Sequence, residues 1–310
     1  MADTRLHWGA EALWEALEPL LPGLSVEVVA SLPSTNTTLI ERARADHADV
    51  LDTEAAGVRR SVESSAFGRR SVDWQPCLLV AEEQTAGRGR LGRSWHAEPL
   101  ASLSFSLALP LAPRDWSGLS LAVGLAIADA LEPPQPGAAP RLLLKWPNDL
   151  WLRDAAGADG APGRKLGGIL IETVAAGARR LVVVGVGLNV AAPRGLRAAE
   201  ASTGVAALQE LDPAARPPQV LARLARPLVE ALLRFEREGL APCLAGYAAR
   251  DLLRDLPVST TRADAPEGTA RGIADDGSLR LQTPAGELRL HSGEVSVRPR
   301  RPALAGRAAC

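Results

Sequence analysis

The chain has 310 residues, enough to bury a full core in one large domain and a small one. Its 35 Lys and Arg against 36 Asp and Glu give a formal net charge of −1, which speaks against a general nucleic-acid or membrane-surface role. Cys77, Cys243 and Cys310 lie far apart, as do His7, His47, His96 and His291. No leader-like segment opens the chain and no apolar run reaches membrane-spanning length. A cytoplasmic protein without disulfides or a protein-built metal site is therefore expected.

Residues 10 to 21 read as a short amphipathic helix with Leu13, Leu17 and Leu20 near one face. A strand is expected over Ser25 to Leu32. Ser34-Thr35-Asn36 then caps a helix running to about Ala45. Residues 46 to 75 are polar, Arg/Ser-rich and without clear period, and read as a surface insertion. Pro76 to Glu82 is a buried strand. It leads into Ala-Glu-Glu-Gln-Thr-Ala-Gly-Arg-Gly-Arg-Leu-Gly-Arg-Ser-Trp, residues 81 to 95.

In that stretch Gly87, Gly89 and Gly92 alternate with Arg88, Arg90 and Arg93, and Trp95 closes the run. Glycines let successive backbone N–H groups turn toward one point, and arginines add fork-shaped donors for phosphate or carboxylate oxygens. The stretch also matches G-x-G-x-x-G, but a dinucleotide fold needs a helix next. Here Ser102 to Leu109 alternates with the period of a strand. A plain solvated basic loop would explain the charges, though not the glycine spacing.

A helix follows from about Ser117 to Leu131, ended by Pro133 and Pro134. Arg141 to Trp146 reads as a strand delivering Pro147-Asn148-Asp149, and residues 154 to 163 as a Gly/Ala loop before Lys165. Strands are expected at 166–173 and at 181–185, the latter ending in Gly-Val-Gly-Leu-Asn. Residues 213 to 238 have helical spacing, with Pro227 expected to kink the segment or begin a second helix. From about Leu256, short strands near 257–262, 269–274, 278–283, 286–291 and 294–298 alternate with turns, the texture of a small β-barrel.

Lysine usage adds a signal of its own. Lys145 and Lys165 are the chain's two lysines, so 33 of its 35 basic side chains are arginine, and Asn36, Asn148 and Asn189 are its three asparagines. All five lie in short motifs: SLPSTN (31–36), KWPNDL (145–150), KLGGILIE (165–172) and GVGLN (185–189). Lysine is a compact point charge with a tunable pKa, which arginine cannot imitate.

Those four motifs and the Gly-Arg stretch, in this order, resemble the biotin–protein ligase family over about residues 26 to 299. The resemblance implies an α/β fold: a mixed-sheet catalytic domain of the biotin/lipoate protein ligase type (class II synthetase-like) over residues 1–253 and an SH3-like β-barrel over 254–299; the tail over 300–310, expected to be disordered, has no counterpart in the family. It implies that biotin is activated with ATP and Mg²⁺ to biotinyl-5′-AMP, then passed to a lysine of a biotin carboxyl carrier protein. Biotin would be held by Ser34, Thr35, Asn36, Gln84, Gly87, Arg88, Arg90, Lys165, Gly168, Leu170 and Gly185. ATP or the adenylate would be held by Arg88, Arg90, Arg93, Trp95, Lys145, Asn148, Lys165, Leu188 and Asn189.

Lys165, Arg90 and Asp149 would carry the reaction, with Mg²⁺ riding on the triphosphate near Asn148 and Asp149. Each reading has a plainer rival: a helix cap for Ser34-Thr35-Asn36, a turn for Pro147-Asn148-Asp149, and core packing for Leu170 and Leu188. About 25 residues precede the first family strand, too few for the winged-helix DNA-binding domain of relatives that double as repressors. No nucleic-acid or membrane partner is expected, and either a monomer or a homodimer is compatible. Lipoate or octanoate transfer on the same fold, or silent biotin binding, are the competing readings.

Overall fold

In the computed structural model, residues 6–53, 74–154, 163–176, 179–192, 204–293 and 295–300 are described. In chain order the elements are α1 (Ala10–Leu17), β1 (Ser25–Leu32), α2 (Thr35–Thr53), β2 (Cys77–Gln84), β3 (Ser102–Pro110), α3 (Leu119–Leu131), β4 (Leu142–Lys145), β5 (Asp149–Leu152), β6 (Arg164–Ala176) and β7 (Arg179–Asn189). After these come α4 (Pro217–Glu238), α5 (Leu244–Arg250), β8 (Pro257–Thr260), β9 (Glu267–Ile273), β10 (Leu279–Thr283), β11 (Gly286–Leu290) and β12 (Val297–Pro299).

Seven strands form one mixed sheet in the order β1-β2-β3-β7-β6-β5-β4. β1 and β2 run parallel and every other neighbouring pair antiparallel. Period-two alternation gives each face its own core. Leu78, Val80, Leu103, Phe105, Leu107, Val182, Val184 and Val186 face α1, α3 and α4 in the main apolar cluster. Cys77, Leu79, Ala108, Leu181 and Val183 face Leu39, Ile40 and Ala43 of α2 on the other side. The C-terminal strands form a five-stranded antiparallel sheet, order β11-β10-β9-β8-β12, the small SH3-like barrel that the texture predicts.

Several expectations need adjusting. α2 does not stop near Ala45 but continues to Thr53, into the stretch read as an insertion. Residues 54–73 of that stretch lie outside the described residues, as do residues 301–310 of the expected tail. Asp149–Leu152 forms a further strand between the Pro147-Asn148-Asp149 turn and the loop expected at 154–163. It pairs Lys145 with Asp149 and Leu144 with Leu150 across a tight hairpin. β7 runs on through Asn189, so the GVGLN glycines lie inside a strand.

α4 passes through Pro227 as one helix. A helix-interior proline costs about 3 kcal/mol, yet Val220, Leu221, Leu224, Leu228, Leu232 and Phe235 bury one continuous stripe on both sides of it. That burial outweighs the lost hydrogen bond, since each such side chain contributes roughly 1.5–3 kcal/mol.

Two contacts lock the C-terminal elements onto the large sheet. Trp146, fully buried after β4, donates its Nε1–H to the Gly277 carbonyl at 3.0 Å. A Cβ on Gly277 would lie 3.0 Å from Gly118 Cα, so the turn before β10 seats only a glycine there. Arg250 at the end of α5, 3 % exposed, donates to Asp129 and Glu132 of the α3 segment at 2.9 Å each and to the Leu142 carbonyl at 3.0 Å. A buried guanidinium needs that much company.

Asp251, next to it, is less well served. Its Oδ1 accepts the Leu253 N–H at 3.0 Å, but Oδ2 is buried without a hydrogen-bond partner. Burial pushes its carboxyl up from the ordinary 3.8 to about 6. Below about pH 4 the acid is protonated in both folded and unfolded chains and costs nothing. As pH rises from about 4 to about 6 the unfolded chain ionises first, so stability falls and stays lower above that window. The loss is on the order of 3 kcal/mol. Asp251→Asn should therefore raise the urea midpoint at pH 7.5 more than at pH 4.5. An equal effect at both pH values would show that the carboxyl is not strained.

Candidate active site

The register of three strands sets the floor of the site. On the α2 face, Ser104 pairs with Gly187 and Gly187 with Gly168, while Ser106 pairs with Gly185 and Gly185 with Leu170. Gly168 pairs onward with Asp149. The aliphatic row beneath α2 thus gives way to serine and glycine, and a cavity of about 570 Å³ opens there. The glycines are steric requirements. A Cβ on Gly185 would stand 2.1 Å from Asn36 Oδ1, and one on Gly187 would stand 2.4 Å from the indole of Trp95.

One end of this cavity is neutral and polar. Ser34, Thr35 and Asn36, at the start of α2, line it with Gln84 at the end of β2. Gln84 Oε1 accepts the Thr35 N–H at 2.8 Å, Asn36 Nδ2 donates to the Leu170 carbonyl at 3.1 Å, and Ser34 Oγ accepts the Thr37 N–H at 3.4 Å. The helix-cap reading of Ser34 holds together with its place on the wall.

The other end is cationic. Asp149 sits between the chain's two lysines, with Lys165 Nζ 2.7 Å from Oδ1 and Lys145 Nζ 3.2 Å from Oδ2. Burial alone would raise the Asp149 carboxyl, but the charges of Lys165 and Lys145 and their hydrogen bonds hold it at about 2. Burial pulls the Lys145 ammonium below its usual range, and Asp149 restores only part of that. Lys165 and Lys145 each also lie 5.9 Å from an indole centroid, that of Trp95 and of Trp151 respectively. Among the described lining residues Asp149 is the one acid, against Arg88, Arg90, Arg93, Arg298, Lys145 and Lys165.

The Gly-Arg stretch folds back as a small hairpin above this end. Gly89 N–H donates to Arg93 O at 2.7 Å and Trp95 N–H to Gly87 O at 2.8 Å. At its tip Leu91 takes the left-handed conformation, with φ 57°, and is 50 % exposed. Arg90 donates to Asn148 Oδ1 at 3.1 Å and reaches the carbonyls of Ser292 and Gly293 in the turn after β11. Arg93 donates to Ser296 Oγ at 2.6 Å. Burial lowers the Arg90 guanidinium, with Asp149 opposing. Arg88 turns outward to Glu172, at 3.0 Å, and to Thr37 Oγ1 at 3.2 Å.

Of the residues singled out from sequence, Ser34, Thr35, Asn36, Gln84, Arg88, Arg90, Arg93, Trp95, Lys145, Asn148, Asp149, Lys165, Gly168, Leu170 and Gly185 all line this cavity. Three do not. Gly87 is buried beneath the hairpin, where a Cβ would meet Trp95 O at 2.4 Å. Leu188 is fully buried in the main core, so the packing reading applies to it. Asn189 ends β7 opposite Ser102, away from the cavity wall.

Asn148 and Asp149 do not fit a Mg²⁺ shell. Asn148 Oδ1 accepts Arg90 while Nδ2 donates to the Ile169 carbonyl at 2.7 Å, and both Asp149 oxygens face ammonium groups. Sequence reasoning missed Ser106, Glu172, Gly187 and the C-terminal Ser292, Gly293, Val295 and Ser296. The alternating serines of Ser102 to Ser106 were the available signal for Ser106.

Gly185→Ala tests the floor. The added methyl meets the Asn36 amide with no room to move, so a loss of about 1–3 kcal/mol of stability is expected, together with weaker ligand binding. An unchanged melting temperature would mean that the Asn36 amide is not held there.

The Biotin/lipoate A/B protein ligase family model matches residues 70–189, and the Biotin protein ligase C terminal domain model matches residues 260–298. The chain is 37% identical over 188 residues to the Bifunctional ligase/repressor BirA of Escherichia coli (strain K12), across 60% of this chain and 54% of that relative. It thus spans only about half of that relative's length. It is 34% identical over 207 residues to the Biotin--[acetyl-CoA-carboxylase] ligase of Mycobacterium tuberculosis, across 65% of this chain and 71% of the relative.

In fold it is similar to the biotin protein ligase from Aquifex aeolicus solved in complex with biotin and ATP, with a TM-score of 0.64 and 23% identity over 89% of this chain and 99% of that one. Among the described residues no helix is long and apolar enough to cross a membrane. By sequence and architecture, the chain belongs to the biotin/lipoate A/B protein ligase family and carries a biotin protein ligase C-terminal domain.

Proposed function

We propose that the chain is a biotin–protein ligase that joins biotin and ATP into biotinyl-5′-AMP with release of pyrophosphate. It then moves the biotinyl group to a lysine of a biotin carboxyl carrier protein. The observation that carries this reading is the polarity of the cavity, neutral and hydrogen-bonding at Ser34, Thr35, Asn36 and Gln84, cationic at Arg90, Lys145 and Lys165. Biotin has the matching polarity, with an uncharged ureido ring at one end and a carboxylate at the other. The names of the relatives, several of them biotin ligases, support the same choice.

In the first step a carboxylate oxygen attacks the α-phosphorus of ATP, and the bond to the β-phosphate oxygen breaks. Two anions must approach, so the site has to supply positive charge that is already in place. Lys165 is suited to this because Asp149, at 2.7 Å, fixes its ammonium without leaving the cavity neutral. Arg90 and Lys145 add charge around the phosphates, each charge-assisted hydrogen bond contributing about 1.5–3 kcal/mol. With its carboxyl at about 2, Asp149 stays ionised at neutral pH and is too weak a base to take a proton, so its part is to hold the lysines.

In the second step the neutral amine of the carrier lysine attacks the acyl carbon, and AMP leaves as the C–O bond breaks. Trp95, whose indole lies close over Gly187, would flank the adenylate and keep water from it.

Lys165→Ala should lower biotin-dependent pyrophosphate release by about 10²–10³-fold, the scale of losing one fixed charge donor at a developing anion. The melting temperature should hold, because Lys145 remains to pair Asp149. Lys165→Arg should restore little, since a planar fork cannot take an ammonium's place. Pyrophosphate release that follows lipoate and ignores biotin would overturn the function, and near-normal release by both variants would overturn the role of Lys165.

A further inference from the structure

Glu172, on β6 one step beyond the cavity wall, is tied to two polar elements at once. Its Oε1 takes Arg88 Nη2 at 3.0 Å, and its Oε2 takes Asn36 Nδ2 at 3.0 Å. Asn36 Oδ1 in turn accepts from Ser106 Oγ at 2.6 Å. Ser106 lies 2.6 Å from Thr35 Oγ1, and the Thr35 N–H donates to Gln84 Oε1 at 2.8 Å. Gln84 and Arg88 are four residues apart in one segment, so the backbone between them closes the chain of contacts into a ring around the neutral end of the cavity.

The direction of donation around this ring is determined. The Leu170 carbonyl and the Glu172 carboxylate can only accept, which fixes Nδ2 of Asn36 toward them and Oδ1 toward Ser106. Ser106 has one proton, and it must go to Oδ1. Thr35 Oγ1 lies 3.3 Å from Gln84 Oε1 but only 2.6 Å from Ser106 Oγ, so it gives its one proton to Ser106 and keeps its lone pairs for the cavity. Gln84, with Oε1 occupied by the Thr35 N–H, is left to donate through Nε2. Each link from Thr35 through Ser106 and Asn36 runs toward the negative charge of Glu172, and such chains polarise cooperatively.

We infer that Glu172 is a positioning residue for ligand recognition. Its charge aligns the ring so that Thr35 offers an acceptor and Gln84 a donor to a cyclic urea's N–H and C=O. This rests on the biotin reading and deepens it. Glu172 itself does not line the cavity and touches the ligand site only through Asn36 and Arg88.

The test is steady-state pyrophosphate release by the full chain, with biotin and ATP varied in turn, and calorimetric titration with biotin in the absence of ATP. Glu172→Gln keeps an acceptor for Asn36 but removes the charge. It should raise the biotin KM and Kd about tenfold, the equivalent of one hydrogen bond lost at the ring. The ATP KM and kcat at saturating biotin should stay within about twofold, because Lys165 and Arg90 are untouched.

Ser106→Ala breaks the same chain at its centre and should show the same split, and the double variant should be no worse than either single one. Should Glu172→Gln not fold, Ser106→Ala alone carries the test. An unchanged biotin KM, or a loss confined to kcat, would overturn the inference. A wild-type chain that releases no pyrophosphate with biotin would overturn the ligase reading, and this inference with it.

Discussion

Two ammonium groups can share one cavity only if something anionic stands between them, and here that is Asp149. Each ammonium lies within 3.2 Å of an Asp149 oxygen, and without that carboxylate two neighbouring cations would repel each other even at an effective dielectric of ~20. The carboxylate is placed by sheet register rather than by a flexible loop. The turn after Trp146 returns the chain so that Lys145 and Asp149 face each other across a hairpin, and the shift between Leu150 and Trp151 then sets Lys165 opposite Trp151. Asn148 pins that arrangement, exchanging hydrogen bonds with the Ile169 backbone through its own carbonyl and its side-chain amide. The cationic end is therefore as rigid as the sheet that carries it.

The neutral end depends on the same register by a different route. Small residues on the α2 face of β3, β6 and β7 lower the floor enough for Asn36 to lie flat across Gly185 and for Trp95 to lie across Gly187. Had these positions continued the aliphatic row of Leu181 and Val183, α2 would simply have packed further along the sheet. The cavity is thus the place where a hydrophobic core is discontinued, and most polar groups exposed by that choice have a partner, Ser104 Oγ and Trp95 Nε1 being buried without one.

What the sequence displayed well was chemistry that depends on residue type. A chain that spends arginine freely but keeps lysine at 145 and 165 marked both ammonium groups, and both meet at Asp149. Strand extent was harder to read. Asp149–Leu152 is only four residues long and begins on a turn signal, and Gly185 and Gly187 look like breaks although they are interior strand positions demanded by Asn36 and Trp95. Glu172 gave no signal of its own and Ser106 only the alternation of its strand, because their partners Thr35, Asn36 and Arg88 lie 70 to 136 positions away in the chain. Leu188 could be read either as wall or as core until the parity of β7 assigned it to the core.

The most distant contribution comes from the C-terminal barrel. Arg90 and Arg93 lie more than 200 positions from Ser292, Gly293 and Ser296, whose oxygens receive them. Holding a glycine-rich hairpin still is entropically expensive, and Leu91 at its tip adds the strain of a left-handed side-chain residue. Neutral oxygens from the barrel offset that cost without neutralising the guanidinium groups. A full negative charge adds Coulombic attraction that a neutral carbonyl lacks, so a carboxylate or phosphate arriving in the cavity can take Arg90 from a carbonyl without a large penalty. Pairing with Glu172 makes the same exchange harder for Arg88, which already faces a full negative charge. Two arginines one residue apart are thus set for different work: Arg90 is held loosely enough to be given up to an anion, and Arg88 is held firmly enough to keep the recognition end in order.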